Sequence, residues 1–107
     1  LAHCHAREVA HRDIKPENVV VSDCGRYLKL VDFGMAVRST EKRTSLSGTF
    51  PFMAPEVLEK MTEAPCNGYM PCPVDVWALG VVMIEMLAGI GRMSALMNWK
   101  RGARPCA

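Results

Sequence analysis

Asp13, Lys15, Asn18 and Asp32 are the residues of this sequence whose types and spacing suit chemistry. Two carboxylates, a carboxamide and an ammonium supply a base for a hydroxyl, hard oxygen ligands for a divalent cation, and positive charge for a transferred anion. Phosphoryl transfer from a nucleoside triphosphate asks for that set. Singly, each has a plainer reading. Asp13 and Asn18 would be turn or cap residues, and Lys15 a surface charge.

The elements around them decide whether they meet. Val19, Val20 and Val21 are β-branched and bounded by Asn18 and Ser22-Asp23, which predicts a strand. "DCGR" at residues 23–26 is a turn signal, with Gly25 free to take a positive φ. "YLKLV" at 27–31 then returns as a second strand. Such a hairpin brings Asn18 and Asp32 back to one end, folding the 19 positions between Asp13 and Asp32 into a single region.

Around this hairpin, residues 1–8 read as the last turns of a helix. Residues 35–52 show no sustained period and hold five hydroxyl side chains between Ser39 and Ser47, a composition suited to a mobile surface loop. Residues 54–61 are helix-compatible, with Pro55 in a first turn. Residues 65–73 form another loop. Residues 74–89, "VDVWALGVVMIEMLAG", are apolar on nearly every face, which predicts a buried central pillar. Asp75 near its start could cap it or reach another backbone segment.

Composition narrows the function classes. A chain of 107 residues with 50% hydrophobic content is at most one domain with a modest core. A net charge of +2 gives no strong pull toward nucleic acid or anionic membrane, and no nucleic-acid partner is expected. Arg92, Lys100, Arg101 and Arg104 crowd the C-terminal end, where a solvated end is the plainer reading than a binding patch. Cys4, Cys24, Cys66, Cys72 and Cys106 form an odd set without a CxxC pair, which suits free thiols in a reducing, cytoplasmic setting. "HCH" at residues 3–5 does not make a zinc site, because adjacent residues cannot easily all face one ion. The apolar run 76–90 is interrupted by Glu85 and is short for a membrane span, and the N-terminus has no secretory pattern.

"HRDIKPEN" at residues 11–18, "DFG" at 32–34, "APE" at 54–56 and "DVWALG" at 75–80 occur in an order that resembles the signature set of the eukaryotic protein kinases. The resemblance implies an α+β fold: a fragment of the kinase C-terminal lobe, mostly helical with a small β-hairpin and without the N-terminal lobe. It implies a serine/threonine kinase using ATP and Mg²⁺ on a protein substrate, switched by a possible upstream activating kinase. Asp13 would be the catalytic base and Lys15 the lysine near the γ-phosphate. Asn18 and Asp32 would be the Mg²⁺ ligands, and Val20 would lie beneath the adenine ring.

Further roles follow from the same likeness. His11 and Phe33 resemble stacked residues linking the catalytic loop to Gly34 and its neighbours in the DFG segment. Asp75 resembles the residue that bonds the catalytic-loop backbone from the pillar, and His5 fits a similar structural place. Residues 32–56 would be the activation segment. Arg12 would grip a phosphate there, on Ser45 first and Thr44 second, and that phosphate would order the loop. Thr49 would brace Asp13 and Lys15. Glu56 would ordinarily pair with an arginine in later helices, and without those helices the pillar would leave apolar surface exposed.

The likeness covers residues 1–89 as a partial C-lobe, with 90–107 as an atypical tail. No glycine-rich loop or strand lysine for the α- and β-phosphates is visible, and "GIGRMS" at 89–94 reads as a helix terminator rather than a phosphate loop. The chain alone is expected to transfer phosphate slowly or not at all. The alternative reading is a truncated, non-catalytic kinase-like module that binds a protein.

Overall fold

The structure is a computed structural model and describes residues 1–60, 68–89, 91–93 and 95–96. It is a small α+β assembly. Helix α1 (Ala2–Ala6) leads into strand β1 (Val9–Ala10), and a 3-10 turn at Pro16–Asn18 precedes strands β2 (Val19–Val21) and β3 (Leu28–Leu30). Strand β4 (Val37–Arg38), helix α2 (Pro55–Lys60) and helix α3 (Pro71–Ala88) follow.

The expected hairpin forms, with Val19 opposite Leu30, Val20 opposite Lys29 and Val21 opposite Leu28. Its turn closes through Gly25 N–H to the Ser22 carbonyl at 2.8 Å, and Gly25 takes φ 71°, a value that favours glycine. Beyond the ladder, Val31 N–H donates to the Asn18 carbonyl at 3.0 Å. A second two-stranded sheet has no counterpart in the sequence reading: β1 pairs antiparallel with β4, Val9 opposite Arg38 and Ala10 opposite Val37. Two-residue strands are too short to leave a period in the sequence.

Helix α3 starts three residues earlier than the pattern predicted, at Pro71, because proline suits a first turn and Met70 before it is extended. It ends where expected. Gly89 takes φ 102°, and its N–H bonds the Glu85 carbonyl at 2.9 Å. The apolar pattern alone points to burial all round, and that reading needs correction; the apolar surface expected to lie bare without later helices is present. Pro71, Val74, Asp75, Ala78, Val81, Val82 and Glu85 are buried, a stripe at helical spacing, while Val76, Met83, Met86 and Leu87 are exposed. The described elements lie against one face of the helix only. By length and composition α3 could cross a membrane, contrary to the shorter run read from the sequence; 39% of it is buried within this fold.

Two apolar clusters flank α3. Ile14, Phe52, Ala78, Val81 and Val82 form one, with Leu1, Leu30 and Met93 against it. Met53, Ala54, Val57, Tyr69 and Val74 form the other, with Leu58 against it. Residues 52–54 thus plug both sides of the pillar and anchor the end of the loop that precedes them. Cys66, Cys106, Lys100, Arg101, Arg104, residue 61 and most of the 90–107 tail, all singled out in the sequence, lie outside the described residues.

Candidate active site

The segment 11–18 is held from below by α3. Asp75 is fully buried, and its Oδ2 and Oδ1 accept the backbone N–H groups of His11 and Arg12, each at 2.7 Å. His5 Nε2 adds a third bond to Oδ2 at 2.9 Å. Those bonds hold Arg12 at φ 67°, a left-handed conformation that costs about 1–3 kcal/mol unless its surroundings enforce it. Of the two roles open to Asp75 in the sequence, the structure shows the contact with a distant backbone.

Ile14 is 2% exposed and plugs the first cluster, so its neighbours Asp13 and Lys15 stand together on the other side of the loop. Thr49 meets them there. Its hydroxyl donates to Asp13 Oδ1 at 2.8 Å and accepts from Lys15 Nζ at 3.1 Å. Lys15 Nζ also lies 3.6 Å from Asp13 Oδ2. Asn18 is buried and donates its Nδ2 to the Asp13 carbonyl at 2.9 Å, with Oδ2 of the same residue at 3.5 Å. Four side chains from two segments therefore form one continuous polar network.

Asp32 enters from the hairpin. It sits at φ 58°, one residue past the Val31 amide that bonds Asn18, and its Oδ1 accepts the Gly34 N–H at 3.2 Å. The carboxylate is exposed and bonds its own turn rather than Asp13 or Asn18. His11 ties the hairpin to the loop: Nδ1 accepts the Asp13 N–H at 3.1 Å, so Nε2 carries the proton and donates to the Val31 carbonyl at 2.8 Å. Phe33 meets the His11 ring edge-on, centroids 4.8 Å apart and planes at 67°. Val20 lies on β2 with half its surface exposed.

The donor chemistry fits magnesium. Mg²⁺ is held by one or two side-chain oxygens together with substrate phosphates and water rather than by an all-protein cage. Asn18 spends its amide nitrogen on Asp13, which leaves its oxygen for a cation, and Asp32 offers an exposed carboxylate. Among the described residues no three His, Cys, Asp or Glu side chains cluster into a metal cage of their own.

A second cluster surrounds Arg12, whose Nε donates to the Met35 carbonyl at 2.7 Å. Its Nη1 donates to Ser45 Oγ at 2.9 Å and to Tyr69 Oη at 3.1 Å. Thr44 is exposed and shares none of these bonds. Glu56 is half-buried in the first turn of α2, where a negative charge suits the helix dipole, and it pairs with no cation among the described residues. Sequence reasoning missed Tyr69. Its signal was faint: one aromatic beside Gly68 in a stretch read as loop.

Between the two clusters runs a groove of about 380 Å³, lined by Asp13, Met35, Leu46, Ser47, Gly48 and Met53.

Comparison with known proteins gives this arrangement its family. The sequence profile described as "Protein kinase domain" matches residues 1–98, running past Gly89 into the tail. CBL-interacting protein kinase 29 of Oryza sativa subsp. japonica is 44% identical over 88 residues, 81% of this chain and 18% of the relative. Serine/threonine-protein kinase Aurora-1 of Arabidopsis thaliana is 35% identical over 96 residues, 90% of this chain and 30% of the relative. Aurora kinase of Dictyostelium discoideum is 41% identical over 90 residues, 83% of this chain and 21% of the relative. The chain thus spans less than a third of the length of each of these relatives. With the profile matched along nearly all of its length and the motif residues folded together, this chain belongs to the protein kinase domain family.

Proposed function

We propose that this chain is the C-lobe portion of a serine/threonine protein kinase, carrying the catalytic loop, the magnesium ligands and the activation segment. The observation that carries the reading is the Asp13–Thr49–Lys15–Asn18 network, because it aims a carboxylate, an ammonium and a carboxamide into one region. Asp13 would orient an acceptor hydroxyl entering along the neighbouring groove and receive its proton. Lys15, held by Thr49, would supply positive charge to the transferred phosphoryl group. Asn18 and Asp32 would hold Mg²⁺, and the bound Mg·ATP would supply the γ-phosphate and neutralise its charge.

Arg12 and Ser45 support a regulated segment. Ser45 is an exposed residue whose hydroxyl already lies on a guanidinium, so a phosphate placed there would meet a bidentate partner. Protein substrates with Ser or Thr acceptors, and an upstream activating kinase, belong to the same reading.

The test is Asp13→Asn in the full-length kinase. Turnover should fall by about 100- to 10,000-fold, the usual worth of a positioned acid or base, with ATP binding nearly unchanged. Equal loss of both would make Asp13 a structural residue. A full-length protein whose phosphate transfer is nil before and after the substitution would favour a non-catalytic binding module.

A further inference from the structure

Tyr69 belongs to the second cluster although it lies in none of the motifs. Its ring is 3% exposed and belongs to the apolar cluster under α2. Its backbone bonds Arg43 in both directions: Arg43 N–H to the Tyr69 carbonyl at 2.8 Å, and Tyr69 N–H to the Arg43 carbonyl at 2.9 Å. Gly68 makes that approach possible. It sits at φ 79°, and a Cβ there would lie 3.0 Å from the Arg43 carbonyl oxygen.

The phenol oxygen is saturated. A tyrosine hydroxyl has one proton and two lone pairs. The proton goes to the Ser45 carbonyl at 2.7 Å, Arg12 Nη1 donates to one lone pair at 3.1 Å, and Ser47 Oγ, at 3.3 Å, donates to the other. Arg12 and Ser47 are themselves buried. One oxygen thus holds the main chain of residue 45 and orients the guanidinium that faces the Ser45 side chain.

We infer that Tyr69 is a positioning residue that seats Ser45 on Arg12 before any phosphate is added. This rests on the regulated-segment reading above and deepens it. Phosphate on Ser45 then replaces one bond from Arg12 to an uncharged hydroxyl with ion-paired, bidentate ones, and the Tyr69 contact becomes redundant.

Tyr69→Phe in the full-length kinase tests this, because it keeps the ring and removes only the hydroxyl. In the unphosphorylated protein, amide hydrogen exchange over residues 44–47 should rise about fivefold and kcat/KM should fall about fivefold, the size of one lost hydrogen bond. In protein phosphorylated on Ser45, both should return to within about twofold of the wild type. An equal fall in both states, or faster exchange throughout α3, would reduce Tyr69 to a general structural residue and overturn the inference. Unchanged exchange over 44–47 would overturn it too. If the exchange contrast appears but Ser45 phosphorylation changes activity in neither protein, the Tyr69 contact stands and the regulated-segment reading falls.

Discussion

The Thr49 hydroxyl donates to Asp13 Oδ1 at 2.8 Å across 36 positions of the chain, and this bond joins the 11–18 segment to the loop before α2. The same oxygen accepts from Lys15, so one side chain sets the direction of both a carboxylate and an ammonium. Phe52, Met53 and Ala54 hold the far end of that loop in the two apolar clusters. Core burial thereby fixes the position of a polar bridge.

Removing the bridge should act on turnover. Thr49→Ala in the full-length kinase is expected to lower kcat about tenfold, as loss of a hydrogen bond to a charged group does, with the KM for ATP little changed. Thr49→Ser keeps the hydroxyl and should recover most of the loss in steady-state assays. A serine variant as slow as the alanine variant would show that the methyl group, not the hydroxyl, matters.

Asp75 should matter to stability instead. It is fully buried and satisfies two backbone amides and His5. Asp75→Ala leaves those donors dry and releases the left-handed conformation at Arg12, and it should destabilise the full-length protein by about 3–5 kcal/mol in thermal unfolding. An unfolding midpoint equal to that of the wild type would mean water replaces the carboxylate without penalty, contrary to its complete burial.

Cys24 offers a pH-dependent readout. The Ser22 hydroxyl, 3.3 Å from its Sγ, stabilises the thiolate and lowers the thiol pKa from its ordinary value, with the Arg26 backbone adding in the same direction. A lowered pKa leaves more thiolate at a given pH below it, so alkylation of Cys24 should reach half its plateau rate at a lower pH than an ordinary thiol. Ser22→Ala should move that midpoint upward. Identical profiles for the two proteins, followed by mass spectrometry, would dismiss the hydroxyl as the cause.

Much of the fold was legible because short-range chemistry wrote it. Three consecutive valines, a glycine turn and a returning apolar run made the hairpin readable, its first strand to the residue and its second to within one position at each end, and the ends of α3 were legible within a few positions. The small sheet between β1 and β4 was not legible. Its two pairs depend on segments brought together by the rest of the molecule, and neither strand carries a period long enough to see. The apolar helix misled for a related reason. Its composition permits burial on every side, but which side is covered depends on what packs there.

By itself the sequence determined which side chains could do chemistry and in what order they occur, since functional groups and local propensities are properties of residues. The tertiary structure decided which of them meet: Thr49 on Asp13 and Lys15, Asp75 beneath Arg12, Tyr69 between Arg12 and Ser45. Each of those contacts spans more than thirty positions, except Tyr69 to Ser45, which spans 24. A bond over that distance has no local signature, because its partners are aligned by the burial of other residues rather than by anything between them in the chain.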